Sequence, residues 1–174
     1  MTQNVPSFAE LLDSAQVSAV HLELRDQYSV AEEATELAKW RRGEAVDVDP
    51  DSEYWHGWSD LVRRAVARGV EVKRARVVSV PVAEYVRYEH HITSVNLAIG
   101  EQVRWLPRSE ASTLALPGND FWLVDHRAVR FNLFDGPGVA LEPQYSEDPT
   151  VIALCATAFE AVWERGVEHE KFTV

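Results

Sequence analysis

The segment Glu89-His90-His91 is the most site-like local cluster of this chain. A histidine titrates near neutral pH, so it can act as a general base or bind a metal ion. Neighbouring residues on a helix point about 100° apart, and helical zinc motifs place their histidines four residues apart. We therefore predict no metal site and a partly exposed histidine pair. The alternative is a hydrolase of phosphate esters that uses His90 or His91 as its base.

Cys155 is the only cysteine, and the apolar pattern around it predicts that its thiol fills the core. A single cysteine excludes an intramolecular disulfide. The sequence also has neither a run of about 20 apolar residues nor an apolar leader segment. We therefore expect a cytoplasmic protein. Because the glycine-rich phosphate-binding motifs do not occur, we expect no cofactor.

Basic residues are concentrated in the middle of the chain. The net charge of the whole chain is −11, but residues 61–108 carry a net charge of +5 between two acidic segments. We predict that this basic segment forms a binding surface for phosphate or for an acidic protein, with Arg74, Arg76, Arg87, Arg104 and Arg108. The alternative is that these residues neutralise the acidic N-terminal third. The overall negative charge argues against direct binding of nucleic acid.

A turn that leads into an aromatic strand is the third candidate. The sequence Leu116-Pro-Gly-Asn-Asp-Phe-Trp-Leu places Asn119, Asp120, Phe121 and Trp122 where they could line a pocket. Such a pocket would make the protein a small-molecule sensor. The alternative is that Phe121 and Trp122 belong to the core.

The elements that must position these residues follow from periodicity and capping. Residues 1–69 are predicted to be mainly helical, with one strand-like segment at residues 19–28, and residues 70–166 form a β-α-β-β-β-α unit. Residues 167–174 are a tail. We predict one domain of the α/β (α+β) class, residues 1–174, with helices on one side of a mixed sheet.

Capping residues give the predicted helix ends. Ser7 with Glu10 and Ser29 with Glu32 have the spacing of capping boxes. Pro81 is placed in the first turn of a helix, and Asp148 with Pro149 begins the last helix. In that helix Leu154, Cys155 and Phe159 are predicted to share a buried face.

Several longer strings resemble a known family. They are Pro6-Ser-Phe-Ala-Glu-Leu-Leu, Tyr88-Glu-His-His-Ile-Thr, Gly100-Glu-Gln-Val-Arg-Trp-Leu-Pro-Arg, Leu116-Pro-Gly-Asn-Asp-Phe-Trp-Leu and Cys155-Ala-Thr-Ala-Phe-Glu-Ala-Val-Trp-Glu. Together they are similar to an actinobacterial family of uncharacterised proteins, domain of unknown function 6879. The resemblance implies a partnership with helix-turn-helix DNA-binding regulators.

The order of elements in residues 70–166 is also similar to one half of a phospholipase D-like domain. Active members of that superfamily carry a His and a Lys two residues apart on a strand, followed by an Asp. The corresponding strand here reads Phe121-Trp-Leu-Val-Asp125. The resemblance therefore implies a site without its catalytic residues. We predict a non-catalytic binding or regulatory module that acts with a DNA-binding regulator; the oligomeric state is left open.

Overall fold

The computed structural model describes residues 5–174 as a seven-stranded mixed sheet covered by helices. The helices are α1 (Phe8–Asp13), α2 (Ala34–Arg41), α3 (His56–Ala67), α4 (Glu84–Ala98) and α5 (Pro149–Arg165). The strands are β1 (Ser18–Glu23), β2 (Glu71–Val78), β3 (Gln102–Pro107), β4 (Asp120–Val124), β5 (Ala128–Asn132), β6 (Gln144–Ser146) and β7 (Val167–Glu168). Within these residues no helix has the length and apolar character needed to cross a membrane.

The strand order is β6-β5-β4-β1-β2-β3-β7. Strands β1, β2 and β3 are parallel to one another, and the other pairings are antiparallel. The N-terminal third thus supplies the central strand of the sheet, β1, which lies between β4 and β2. The tail supplies an edge strand, β7, so the predicted β-α-β-β-β-α unit is completed by both flanking segments.

Helices cover both faces of the sheet, so the expectation of helices on one side is wrong. Val20, Leu22 and Phe121 pack with α5 in one core cluster. The alternate positions Ala19 and Trp122 pack with α1 and α3 in another cluster. Strand β4 contains Phe121-Trp-Leu-Val and is buried on both faces, and such a strand needs cover on both sides.

The helix starts agree with the sequence in two places and differ in two. Glu10 N donates to Ser7 Oγ at 3.2 Å, and Asp148 caps α5 by accepting from Thr150 N at 2.7 Å. The predicted second capping box is absent, because the Ser29 hydroxyl donates to the Pro137 carbonyl instead. Pro81 precedes its helix, which begins at Glu84.

One predicted core position of α5 is exposed. Phe159 is 4% exposed, whereas Leu154 is 46% exposed. The buried residues Cys155, Ala158, Phe159 and Val162 follow the spacing of one helix face. Leu154 lies about 100° away from Cys155 around the helix, which places it outside that face.

Candidate functional site

A group of charged residues lies buried on the sheet face opposite α5. The parallel register places His21 beside Arg74 and Glu23 beside Arg76. Residues two apart on a strand share a face, so all four side chains point to the same side. Each of the four residues is less than 9% exposed. Strands β1 and β2 thus form a polar surface beneath the helices. We call its residues, His21, Glu23, Arg74 and Arg76, the floor.

The two arginines of this floor are held by carboxylates. Arg74 Nη1 donates to Glu23 Oε1 at 2.5 Å, and Arg74 Nε donates to Glu101 Oε1 at 2.7 Å. Arg76 Nε lies 2.5 Å from Glu23 Oε2. The guanidinium of Arg76 also lies 4.9 Å from the centre of the Trp105 ring. These contacts fix both guanidinium groups in position, as their planar geometry allows.

Three further carboxyl groups face the same space. Glu89, on α4, lies 3.6 Å from Arg76 Nη1. Burial raises the pKa of Glu89 and of Glu33. Burial also raises the pKa of Asp120 to about 6. Desolvation thus works against the charged form of all three groups.

Tyrosine hydroxyls are the hydrogen-bond donors to two of these carboxyl groups. Tyr85 Oη donates to Glu33 Oε2 at 2.6 Å, and Tyr28 Oη donates to Asp120 Oδ2 at 2.5 Å. Asp120 Oδ1 also accepts from the Leu24 N–H at 2.8 Å. Both tyrosines have a pKa raised by burial, so their hydroxyls remain neutral donors.

His21 is buried as a neutral imidazole. Burial lowers its pKa to about 3, and its ring stacks on Trp122 at a centroid distance of 4.3 Å. Its Nδ1 atom has no hydrogen-bond partner among residues 5–174, although Glu23 Oε1 lies 3.4 Å away. Asn132 Nδ2 lies 3.5 Å from His21 Nε2, so Nε2 is the accepting nitrogen of the neutral ring and Nδ1 is the N–H that faces Glu23.

These groups line a pocket of about 150 Å³, which we call the inner cavity. Its wall combines the floor residues with Glu33, Glu89, Asp120, Asn132, Tyr28, Tyr85 and Phe134. A second pocket of about 160 Å³ is lined by Trp55 and Trp58 and shares Arg74 and Arg76 with the first. The inner cavity also shares Tyr28, Val30, Glu33 and Tyr85 with a space of about 320 Å³, which we call the outer groove. The outer groove therefore adjoins the inner cavity.

The residues of the Glu89-His90-His91 segment lie in three different environments. Glu89 lines the inner cavity. His90 stacks on His169 at a centroid distance of 4.2 Å, and its Nε2 lies 3.1 Å from the Phe172 carbonyl oxygen. His91 is exposed, with its ring 5.0 Å from Trp40. Across the described residues, no cluster of His, Cys, Asp and Glu has an arrangement that would hold a metal ion.

The predicted basic surface is not a single surface. Arg74 and Arg76 are buried, so the expectation that they line a docking surface is wrong. The reason is that β2 lies in the middle of the sheet, where its polar face meets Glu23. The remaining three are dispersed: Arg87 is exposed, Arg104 packs on the Trp163 ring, and Arg108 donates to backbone carbonyls.

Neutralisation of the acidic N-terminal third, the alternative interpretation, agrees with the ion pairs. Besides the Glu23 pairs, Arg63 lies 2.5 Å from Asp51, and Arg64 lies 3.2 Å from Asp13. These two pairs are largely exposed, so each contributes little to stability.

The predicted pocket near residues 119–122 overlaps the inner cavity only in part. Asp120 lines the inner cavity, but Asn119 is exposed and Phe121 packs in the α5 core cluster. Trp122 supports the cavity from below through its stack on His21. Asp125, at the end of this strand, has a structural role because its carboxylate accepts from the N–H groups of residues 16–18.

Sequence reasoning missed His21, Glu23, Glu33 and the two tyrosines. The alternation of His21 and Glu23 with apolar residues is typical of a strand with one solvent-facing side. One feature could have revealed the site: Arg74 and Arg76 repeat the same alternation with opposite charge. Two complementary polar faces on neighbouring strands can bury each other.

Comparisons with known proteins agree with the architecture. A phospholipase D family member, Nuc from Salmonella typhimurium, has a similar structure with a TM-score of 0.51 and 12% identity, covering 92% of this chain and 86% of that chain. At this identity the likeness shows the fold alone, which is a phospholipase D-like α/β fold. TrmBL2, an archaeal chromatin protein, aligns with a TM-score of 0.46 and 16% identity over 91% of this chain. This chain spans 47% of the length of that protein.

Two sequence comparisons complete these findings. A search of curated proteins gave no significant match. The sequence model of a domain of unknown function, DUF6879, matches residues 6–174.

Proposed function

This chain belongs to the DUF6879 family, and we propose that it is a non-catalytic binding module whose ligand occupies the inner cavity. The observation that carries the proposal is a pocket of about 150 Å³ lined by buried ionisable side chains. Burying such groups opposes folding, and well-packed apolar residues at the same positions are often as stable. Strongly shifted pKa values cluster at functional sites. Ligand binding explains why the charges are kept.

Binding, rather than turnover, is favoured by how the groups are engaged. Arg74, Arg76 and Glu23 are tied to one another by contacts of 2.5 Å. The strand Phe121-Trp-Leu-Val, which the resemblance to phospholipase D-like enzymes would make the catalytic strand, is fully buried. Its side chains pack in the two main core clusters.

The proposal extends to a partner. We propose that the protein acts in the actinobacterial cytoplasm together with a helix-turn-helix DNA-binding regulator, as the family resemblance implies. Its net charge of −11 supports a basic protein partner, because opposite charges speed association. Ligand binding in the inner cavity would then regulate this partnership.

A blocking variant tests the binding proposal. Ala34 is exposed and lines the outer groove, so Ala34→Trp should obstruct the groove beside the inner cavity with little effect on the core. Ala153→Trp on α5 is the matched control, because Ala153 is also an exposed helical alanine but lies on the other side of the sheet. A metabolite library should contain a compound that raises the melting temperature of the wild-type protein and of Ala153→Trp, but not of Ala34→Trp. Absence of any such compound contradicts the proposal.

Catalysis is tested in parallel. In a screen of phosphatase and phosphodiesterase substrates we expect no turnover by the wild-type protein. Turnover that is lost in His90→Ala or His91→Ala would overturn the non-catalytic assignment in favour of the hydrolase.

The partner is tested by co-purification from the native host followed by mass spectrometry. We expect a DNA-binding regulator whose recovery falls as salt rises, since salt screens charge attraction. Recovery of no regulator at low salt contradicts this part of the proposal and leaves the ligand site unaffected.

A further inference from the structure

We propose that the ligand of the inner cavity is a small organic cation with N–H donors, namely an ammonium or guanidinium compound. This inference rests on the proposed binding function and adds the chemical class of the ligand. It follows from two features of the cavity: its excess of carboxyl groups and its aromatic wall.

The carboxyl groups of the site outnumber its cations. Glu23 and Glu101 together match the two guanidinium groups of Arg74 and Arg76. Glu33, Glu89 and Asp120 also line the same wall, and the hydroxyls that donate to Glu33 and Asp120 belong to neutral tyrosines. Burial raises the pKa of all three carboxyl groups, and a cation bound beside them would favour their ionised forms.

An anionic ligand fits this wall poorly. Both arginines already contact carboxylates at 2.5 to 2.7 Å, so an anion would have to displace Glu23 or Glu101. It would also approach three further carboxyl groups. Like charges brought together in a buried space repel strongly.

Aromatic rings complete the surroundings that a cation prefers. Tyr28, Tyr85 and Phe134 line the inner cavity, and the Tyr28 ring lies 5.0 Å from Phe134 and 6.0 Å from Tyr85 between centroids. Ammonium and guanidinium groups bind to the faces of such rings. The metal ions that also favour carboxylates are a poor match, because the described residues offer no suitable cluster of ligands.

The hydrogen-bonding capacity of the wall belongs to its carboxyl groups. His21 adds no free acceptor, because its Nδ1 faces Glu23 Oε1 at 3.4 Å and its Nε2 faces Asn132 Nδ2 at 3.5 Å. A primary ammonium or guanidinium group could donate to the carboxyl oxygens, whereas a quaternary ammonium group has no N–H.

The size of the cavity limits the cationic group. A volume of 150 Å³ corresponds to about five water molecules at roughly 30 Å³ each. An ammonium or guanidinium head with a short alkyl chain fits, and a longer chain would extend into the outer groove.

Calorimetric titration of the full chain with defined probes tests the inference. The probes are agmatine and ethanolamine as cations with N–H donors, choline as a quaternary cation, and sodium phosphate as an anion. We expect agmatine or ethanolamine to bind about tenfold or more tightly than choline, because charge-assisted hydrogen bonds are lost with the quaternary group. Phosphate should give no heat of binding. Burial raises the pKa of Asp120 to about 6 and that of Glu89 to about 8, so affinity for the cation should rise as the pH increases from about 6 to about 8, because the cation needs the ionised carboxylates.

Two charge-removing variants locate the binding site. Glu33→Gln and Asp120→Asn should each weaken binding of the cation about tenfold, since each removes one charge from the wall. Glu164→Gln is the control, because Glu164 is exposed on α5 on the other side of the sheet. Circular dichroism shows whether each variant is folded, and the pH dependence of binding by the wild-type protein provides a measurement that needs no variant.

The possible results separate this inference from the proposed function. Binding of phosphate without binding of either N–H cation overturns the ligand class but keeps the binding module. Cation binding that is unchanged in both variants overturns the location. If the metabolite library also gives no ligand of any class, the proposed function fails together with this inference.

Discussion

Glu23 links the two buried arginines, so replacing it with glutamine should destabilise the fold strongly. The side chain is 9% exposed and pairs with Arg74 Nη1 and Arg76 Nε, both at 2.5 Å. Arg74 would keep its bond to Glu101 at 2.7 Å, but the only carboxylate left to Arg76 would be Glu89 at 3.6 Å. Breaking one partner of a buried ion pair costs about 3–5 kcal/mol. This loss is a large part of a typical free energy of unfolding of about 5–15 kcal/mol.

Urea unfolding followed by tryptophan fluorescence measures this loss at pH 7. The double variant Glu23→Gln with Arg76→Met should lose less stability than the two single variants lose together. The difference should be about 1–3 kcal/mol, because Arg76→Met removes the charge that Glu23→Gln leaves unpaired. Glu71→Gln is the control: its partner Lys73 lies at 2.7 Å, but the Glu71 side chain is 61% exposed, so the change should be within about 0.5 kcal/mol.

The pH dependence of the same variant has a defined sign. The neighbouring arginines hold the pKa of Glu23 below its ordinary value of 4.5 despite its burial. The stabilisation by its charge is therefore present above pH 4.5 and is lost as the pH falls below that value. The unfolding curves of Glu23→Gln and the wild-type protein should approach each other in acid. Two results together would refute the buried ion-pair network: a loss of less than about 1 kcal/mol in the free energy of unfolding of Glu23→Gln at pH 7, and additive effects of Glu23→Gln and Arg76→Met.

Four further substitutions test other parts of the structure. Phe159→Asp should abolish cooperative unfolding because it buries an unpaired charge. Leu154→Asp should leave the domain folded, because Leu154 is 46% exposed. A Phe159→Asp protein that melts cooperatively would show that α5 is misplaced. Gly138→Ala should lower the free energy of unfolding in urea by about 1–2 kcal/mol, because Gly138 has φ +96° and a Cβ there would lie 3.2 Å from the Tyr28 Cα. An unchanged urea midpoint would contradict that contact. Burial lowers the pKa of His169 to about 4, so stability should fall as the pH drops from 6.5 towards 4, where the unfolded chain binds the proton more tightly. His169→Gln should reduce this dependence in thermal melts, and an identical pH profile would argue against a buried ring.

Local chemistry made much of the fold predictable. The Ser7–Glu10 box, the Asp148 cap and the hairpin after residue 124 each depend on residues close in sequence, and each is present. The exposure of Leu154 and the choice of helices that cover each face of the sheet were not predictable in this way. Both depend on which helix packs on which face, and that is decided by contacts between distant segments.

The candidate site could not be predicted for the same reason. The pairing of its charged side chains across β1 and β2 also shows how these charges contribute to the fold. Arg74 and Glu23 are 51 residues apart along the chain, and only the β1–β2 register brings them together. A slip of one residue would turn each side chain to the opposite face of the sheet. Glu23 would then enter the apolar cluster beneath α5 without a partner, at a cost of several kcal/mol. The ion pairs therefore disfavour this alternative register, and the same fixed register holds the walls of the inner cavity in place for a ligand.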